Sequence, residues 1–166
     1  MENFKQKLNN ISCFVFDVDG VLTNGNLTIS PDGEHLRAMN IKDGYAIQLA
    51  VKKGYQLAVI SGGRSSGIPE RMKRLGVKDV YMDAGDKLAV LNKYLSQNKL
   101  ESSAVLYMGD DVPDKKAMQQ CGIATAPSDA SHEIREICHY VSDFRGGEGC
   151  ARDVIEQTLR LHGKWE

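Results

Sequence analysis

The sequence predicts an α/β fold, a doubly wound parallel sheet, on three observations. Short apolar runs rich in β-branched residues alternate with longer segments of helical period. The runs lack strict two-residue alternation, as strands covered on both faces do. Acidic, hydroxyl and glycine residues gather just after the runs, where open α/β sheets bind their ligands.

Core strands are expected at 12–18, 56–60, 79–82 and 104–108, with weaker ones at 123–124 and 139–142. In the helix expected at 45–53, Ala46, Ile47, Ala50 and Val51 form one stripe and Gly54 stands at the C-terminal cap. Further helices are expected at 64–75, stopped by Gly76, at 86–97 on Leu88, Leu91 and Leu95, and at 111–120 with Pro113 near its first turn. A last helix at 151–161 ends before Gly163. The stretch 24–41 breaks the alternation. Two strand-like runs flank Ser30-Pro31-Asp32-Gly33, which suits a type I turn, so a β-hairpin is expected. Arms of about six residues at ~3.3 Å each would carry this flap roughly 20 Å from the sheet edge.

The 166 residues include 21 basic and 22 acidic side chains, a net charge of -1. That balance, with no Lys/Arg block, argues against nucleic acid or an anionic membrane as partner. A chain this long buries roughly 68–70% of its unfolded surface, so one domain spanning 1–166 needs no disulfide or metal staple. The start, MENFKQKLNN, and an apolar run broken by Ser12 and Asp17 resemble neither a signal peptide nor a membrane span. Cys13, Cys121, Cys138 and Cys150 form no CxxC pair, which points to a reduced, cytoplasmic setting. His35, His132, His139 and His162 lack metal spacing and read as surface or packing residues. The terminal Lys164-Trp165-Glu166 is open to two readings, docking on a partner or disorder.

Four places carry candidate chemistry. Asp17-Val18-Asp19-Gly20 sets two carboxylates at a strand end, and once the backbone turns at Gly20 they need not face opposite ways. Ser61-Gly62-Gly63-Arg64 offers a hydroxyl and free N–H groups for an anionic oxygen cluster, although a plain βα loop looks the same. Lys87 opposes the dipole at a helix start, which hints at a compensating anion. In Gly109-Asp110-Asp111-Val112-Pro113-Asp114, three carboxylates within five positions repel one another unless donors or a hard cation such as Mg²⁺ neutralise them. All four lie at one end of the expected sheet, an inventory suited to phosphoryl transfer through an aspartyl-phosphate.

That order, Asp-x-Asp-Gly, Ser-Gly, Lys, Gly-Asp-Asp-x-x-Asp, resembles the haloacid-dehalogenase-like superfamily of phosphohydrolases, whose core is a Rossmann-like doubly wound sheet. The stretches FDVDGVLTNGNL, GEHLRAMNIKDGYAI, LGV, MGDDVPD and RGGEGCARDVIE are similar to its capless 3-deoxy-D-manno-octulosonate 8-phosphate (KDO8P) phosphatase family, over nearly the whole chain. The resemblance implies hydrolysis of that phosphate to KDO in lipopolysaccharide precursor synthesis. It implies Asp17 as nucleophile and Asp19 as general acid and base. Mg²⁺ would be held by Asp17, the main-chain carbonyl of Asp19 and Asp110, supported by Asp111 and Asp114. Ser61, Gly62 and Lys87 would grip the phosphoryl group, with Lys87 also neutralising Asp17. Asn40, Lys42, Asp43, Arg64 and Arg145 are implied on the substrate side.

Several residues depart from the family pattern. Serine replaces threonine at Ser61, Gly63 follows Ser61-Gly62, and the arginine comes one place later at Arg64. Met82-Asp83 stands where relatives tend to carry glutamine-glycine, and Glu148 lies in the glycine-rich tail 145–149 where many carry a basic residue. A related branch acting on nine-carbon 2-keto sugar acid 9-phosphates also carries an acid there, so both substrates stay open. Only 42 positions separate Asp19 from Ser61 and 23 separate Lys87 from Asp110, too few for an inserted cap domain. The resemblance supplies the cover instead, a homotetramer whose hairpins join and whose tail flanks a site. Leu27, Ile29, Leu36, Met39 and Ile41 make the flap apolar on both sides, as such an assembly needs. The competing reading is a phosphorylation-controlled receiver module. A receiver has adjacent acids after its first strand and its phosphorylated aspartate after the third, an order this chain does not follow.

Overall fold

A computed structural model describes residues 3–166. Its six-stranded sheet runs β5-β4-β1-β6-β7-β8 with every neighbouring pair parallel. The strands are β1 (Cys13–Phe16), β4 (Gln56–Ile60), β5 (Asp79–Tyr81), β6 (Val105–Met108), β7 (Ile123–Ala126) and β8 (Tyr140–Val141). The chain moves outward from β1 through β4 to β5, then returns to the other side of β1 for β6, β7 and β8. The strand order therefore reverses beside β1, and a crevice opens there at the carboxyl ends.

Alternate side chains feed two separate apolar layers. Phe14 and Phe16 of β1 point to the side covered by α2 (Ile41–Lys52), α3 (Gly67–Arg74) and α7 (Cys150–Leu161), through Ile47, Met72 and Ile155. Cys13 and Val15 point to the side covered by α4 (Lys87–Asn98), α5 (Lys115–Gln120) and α6 (His132–Arg135), through Leu91, Met118 and Ile134. All four residues of β1, β6 and β7 are buried, which explains their unbroken apolar text.

Several boundaries differ from expectation for local reasons. α2 begins at Ile41, four residues early, because the Asn40 side chain accepts from the N–H of Lys42 and caps it. α3 begins at Gly67 rather than at 64, and Pro69 lies in its first turn, where no N–H is needed. A 3₁₀ turn over Val112–Asp114 precedes α5. The helices α1 (Phe4–Leu8) and α6 are too short to show a period and went unexpected.

The hairpin is smaller than its sequence suggested. β2 (Thr28–Ile29) and β3 (His35–Leu36) pair over two residues each, closed by a bond from Gly33 N–H to Ser30 C=O at 2.9 Å. A two-stranded ribbon without a third strand gains little. Beyond Leu36 the return arm bends back, Met39 packs on the core and Asn40 caps α2. Leu27, Ile29, Leu36 and Ile41 stay exposed. Trp165 docks on its own chain, edge-on to Tyr45 and under the guanidinium groups of Arg152 and Arg160. His139 accepts from Ala124 N–H and His162 meets Tyr55 Oη, both packing roles.

Candidate active site

β1 ends at Phe16, and Asp17 is the first residue past the sheet, 6% exposed. Its Oδ1 accepts from Val18 N–H at 2.6 Å. Residues Val18–Leu22 then wind through a kink at Asp19 and Gly20, whose backbones are not helical, and Gly20 takes φ +89°. A Cβ on Gly20 would lie 2.0 Å from Asp110 Oδ2, so glycine is required both for the turn and for the approach of that carboxylate.

β6 delivers the second acid group. Asp110 follows its end, and the 3₁₀ turn brings Asp114 back beneath it, fully buried. One carboxylate oxygen from each of Asp17, Asp110 and Asp114 lies within 4.8 Å of the others. Lys87, the first residue of α4, bridges the group: Nζ is 2.7 Å from Asp17 Oδ2 and 2.8 Å from Asp114 Oδ1. Two buried anions thus offset the unfavourable dipole that it meets at the helix start. Tyr107 Oη donates to the same Asp114 Oδ1 at 2.9 Å. Asp111 is exposed and caps the 3₁₀ turn, its carboxylate accepting from Val112 N–H.

Three carboxylates against one ammonium leave the cluster short of positive charge. Burial, and then the charge of Asp114, push Asp17 above the usual carboxylate range in spite of Lys87. Burial and Asp114 likewise hold Asp110 up at about 7. Burial works against the Lys87 charge, but Asp17 and Asp114 outweigh it and its pKa is raised. Asp114 Oδ2 is buried with no hydrogen-bond partner. An orphaned anionic oxygen beside two other carboxylates, with no nitrogen or sulfur donor among them, fits a hard divalent cation such as Mg²⁺.

β4 supplies the third wall. Ser61, 1% exposed, directs Oγ to accept from Gly63 N–H at 3.1 Å, which leaves its own proton free to donate. Asp17, Asp19, Ser61, Gly62, Gly63, Lys87, Asp110, Asp111 and Asp114 line one cavity of about 330 Å³. The other expected residues lie outside it. Asn40 Nδ2 donates to Gly147 C=O at 3.1 Å. Lys42 is exposed beside Phe144 and Arg152. Asp43 is buried and accepts from Arg152 N–H at 2.7 Å, anchoring α7. Arg64 pairs with Asp83 on the surface, and Arg145 reaches toward Asp129. The glycine-rich tail packs on its own chain: Gly147 N–H donates to Val21 C=O, and a Cβ on Gly146 would sit 2.0 Å from Gly20 C=O. It braces the Asp17–Gly20 turn from behind.

Two residues escaped the sequence reading. Arg37, on the return arm of the hairpin, donates to both oxygens of Asp19, and although it lies in the GEHLRAMNIKDGYAI stretch no role is assigned to it. Tyr107 had a signal: a hydroxyl inside a fully buried strand needs a partner.

Residues 76–152 match the model of a haloacid dehalogenase-like hydrolase family. The chain is 33% identical over 161 residues to the 3-deoxy-D-manno-octulosonate 8-phosphate phosphatase KdsC of Yersinia pestis, covering 97% of this chain and 86% of that protein. To KdsC of Escherichia coli (strain K12) it is 32% identical, covering 95% and 84%. Among solved structures, the Yersinia pestis phosphatase superposes with a TM-score of 0.94 at 32% identity, over 96% of this chain and 86% of that one. The Moraxella catarrhalis phosphatase in complex with magnesium ion, phosphate ion and KDO gives 0.91 at 31% identity, over 95% and 90%. No helix among the described residues is long and apolar enough to cross a membrane. By identity along nearly its whole length and by the same cap-free sheet, the chain belongs to the 3-deoxy-D-manno-octulosonate 8-phosphate phosphatase family of the haloacid dehalogenase-like hydrolases.

Proposed function

We propose that the chain hydrolyses 3-deoxy-D-manno-octulosonate 8-phosphate to the free sugar acid and inorganic phosphate, with Mg²⁺ as cofactor. The observation that carries this reading is the Asp17–Lys87–Asp114–Asp110 cluster set beside Asp19 in one cavity. Asp17 is held on one oxygen by Val18 N–H and on the other by Lys87, which orients the carboxylate toward the phosphoryl group. It attacks phosphorus, the Asp17 O–P bond forms, and the P–O bond to the sugar breaks. Asp19 gives its proton to the departing alkoxide. Asp19, now a carboxylate, takes a proton from water as the water oxygen attacks phosphorus and the Asp17 O–P bond breaks. Ser61 Oγ–H and the N–H groups of the glycine turn hold the phosphoryl oxygens, and Lys87 screens Asp17 from their charge. Mg²⁺ would be held by Asp17, Asp110 and the Asp19 carbonyl, with Asp114 in support, and would supply further charge neutralisation.

The exposed Leu27, Ile29, Leu36 and Ile41 support a homotetramer in which hairpins meet and neighbours cover the open cavity. Four free thiols, three of them buried, support a reduced, cytoplasmic setting. The test is phosphate release from the eight-carbon and nine-carbon acid phosphates side by side with Mg²⁺. The eight-carbon compound should have the higher kcat/KM and Asp17→Asn should abolish its turnover; absence of turnover of either would sink the reading. A native mass near 18.3 kDa, rather than about four times that, would contradict the assembly.

A further inference from the structure

A lysine ammonium carries three N–H donors, and in Lys87 the protein uses two of them. Nζ is 2.7 Å from Asp17 Oδ2 and 2.8 Å from Asp114 Oδ1, and among the described residues no other group accepts from it. Lys87 lines the cavity beside Asp17 and Ser61. With two bonds made, the tetrahedral ammonium has one direction left, so the places of Asp17 and Asp114 decide where the third N–H points. Asp17 is held by Val18 N–H at the end of β1. Asp114 ends a 3₁₀ turn, and Asp111, Val112 and Pro113 before it are all exposed, so its carboxylate depends on a fixed partner from elsewhere.

Tyr107 is that partner. It stands in β6 between Val15 and Ala124 of the flanking strands, and its ring belongs to the apolar layer of Leu91 and Met118 beneath α4 and α5. The core therefore places its hydroxyl, which donates to Asp114 Oδ1 at 2.9 Å. A carboxylate oxygen has two lone pairs; on Oδ1 the tyrosine hydroxyl takes one and the Lys87 ammonium the other. Gly109 lets the carboxyl group come this close to β6, since a Cβ there would lie 2.5 Å from Asp114 Cβ and Cγ.

We propose that Tyr107 is a positioning residue for phosphoryl binding: by holding Asp114 Oδ1 from the core, it fixes the Lys87 ammonium so that its third N–H meets the phosphoryl group. The inference rests on the phosphatase reading above. Without the hydroxyl, Asp114 Oδ1 has an open lone pair, and Oδ2 already has no partner in the protein. A buried carboxylate short of donors is costly, and the nearest donor is the third N–H of Lys87. The ammonium then turns to Asp114 and away from the cavity.

Tyr107→Phe removes the hydroxyl and keeps the ring. Thr158→Val is the comparison: it also deletes a buried hydroxyl, one that donates to Val154 C=O at 2.8 Å within α7. Thermal melting reports folding and stability in both. Inorganic phosphate, titrated by calorimetry with Mg²⁺ saturating for each protein, should bind Tyr107→Phe roughly tenfold more weakly than wild type, the lower end for losing a hydrogen bond to a charged group. Thr158→Val should keep wild-type phosphate affinity at a similar loss of melting temperature. In a Lys87→Met background, where the third N–H is gone, Tyr107→Phe should weaken phosphate no further, read by phosphorus NMR where binding is too weak for calorimetry. Equal phosphate affinity in wild type and Tyr107→Phe would overturn the proposal and leave the hydroxyl as a core hydrogen bond. Equal losses in Tyr107→Phe and Thr158→Val would overturn it as general loosening. The same loss persisting in the Lys87→Met background would show that Tyr107 does not act through Lys87. A wild type that binds no phosphate would remove the phosphatase reading itself, whereas one that binds it regardless of Tyr107 defeats this inference alone.

Discussion

Replacing Lys87 by methionine isolates what one positive charge supplies among three carboxylates. Lys87 Nζ lies 2.7 Å from Asp17 and 2.8 Å from Asp114, and its side chain is 6% exposed. Methionine keeps the length of the side chain and removes the charge. Breaking a buried pair in this way costs about 3–5 kcal/mol, because the remaining charge is uncompensated. That cost is pH-dependent, since a carboxylate can be neutralised by a proton instead. Asp110 is raised from 3.8 to about 7, first by burial and then by Asp114, and Asp17 is raised for the same reasons. Acids whose folded pKa exceeds the unfolded value bind extra protons when folded, so stability is full below 3.8 and falls as pH rises toward about 7. Lys87, raised above 10.5, stays charged throughout that window and limits the fall. In metal-free Lys87→Met, urea denaturation should show a deficit of about 3–5 kcal/mol at pH 8 and under about 1 kcal/mol at pH 5. Domains of this kind hold about 5–15 kcal/mol, so the pH 8 loss is a large share. Mg²⁺ at 100 times its dissociation constant should return about 2.7 kcal/mol. A deficit of equal size at both pH values would refute the charge-balance account.

Gly20→Ala places a Cβ 2.0 Å from Asp110 Oδ2 at a φ of +89°. It should cost about 1–3 kcal/mol in overpacking and also remove measurable Mg²⁺ binding by calorimetry; normal metal affinity would show that Asp110 does not depend on this turn. Asp43, buried against α7, is raised by that burial to about 6 despite its bond from Arg152 N–H. Its folded pKa is again the higher one, so its contribution falls as pH rises from 3.8 to about 6, by about 3 kcal/mol at most. Asp43→Asn keeps the Oδ1 acceptor and should be more stable than wild type at pH 8 but not at pH 4, read by urea melts at both.

The parts of the site legible in the sequence are those adjacent to strand ends. Asp17, Ser61 and Asp110 each follow an apolar run, and the sheet's parallel register carries all three to one edge. Lys87 was legible because it stands at a helix start where the dipole disfavours it. The length of the hairpin was not legible. Alternating apolar residues over 24–41 suit long arms, yet residues beyond Leu36 leave the ribbon to pack Met39 and to bring Arg37 to Asp19. The substrate-side expectations for Asn40 and Asp43 also depended on tertiary contacts. Both side chains are used by the tail and α7, which approach from more than 100 residues away in the chain.

The amino-acid order by itself determined the α/β class, the strands that carry the chemistry and the absence of an inserted cap, because burial pattern, turn glycines and spacing are local quantities. The tertiary structure alone decided how the charges are shared. It set Asp114 rather than Asp111 against Lys87, left Asp114 Oδ2 without a partner, and used Gly63 to let a hairpin arginine reach Asp19. Those outcomes depend on distances of a few ångströms between segments far apart in sequence, where one Cβ more would hold the groups apart.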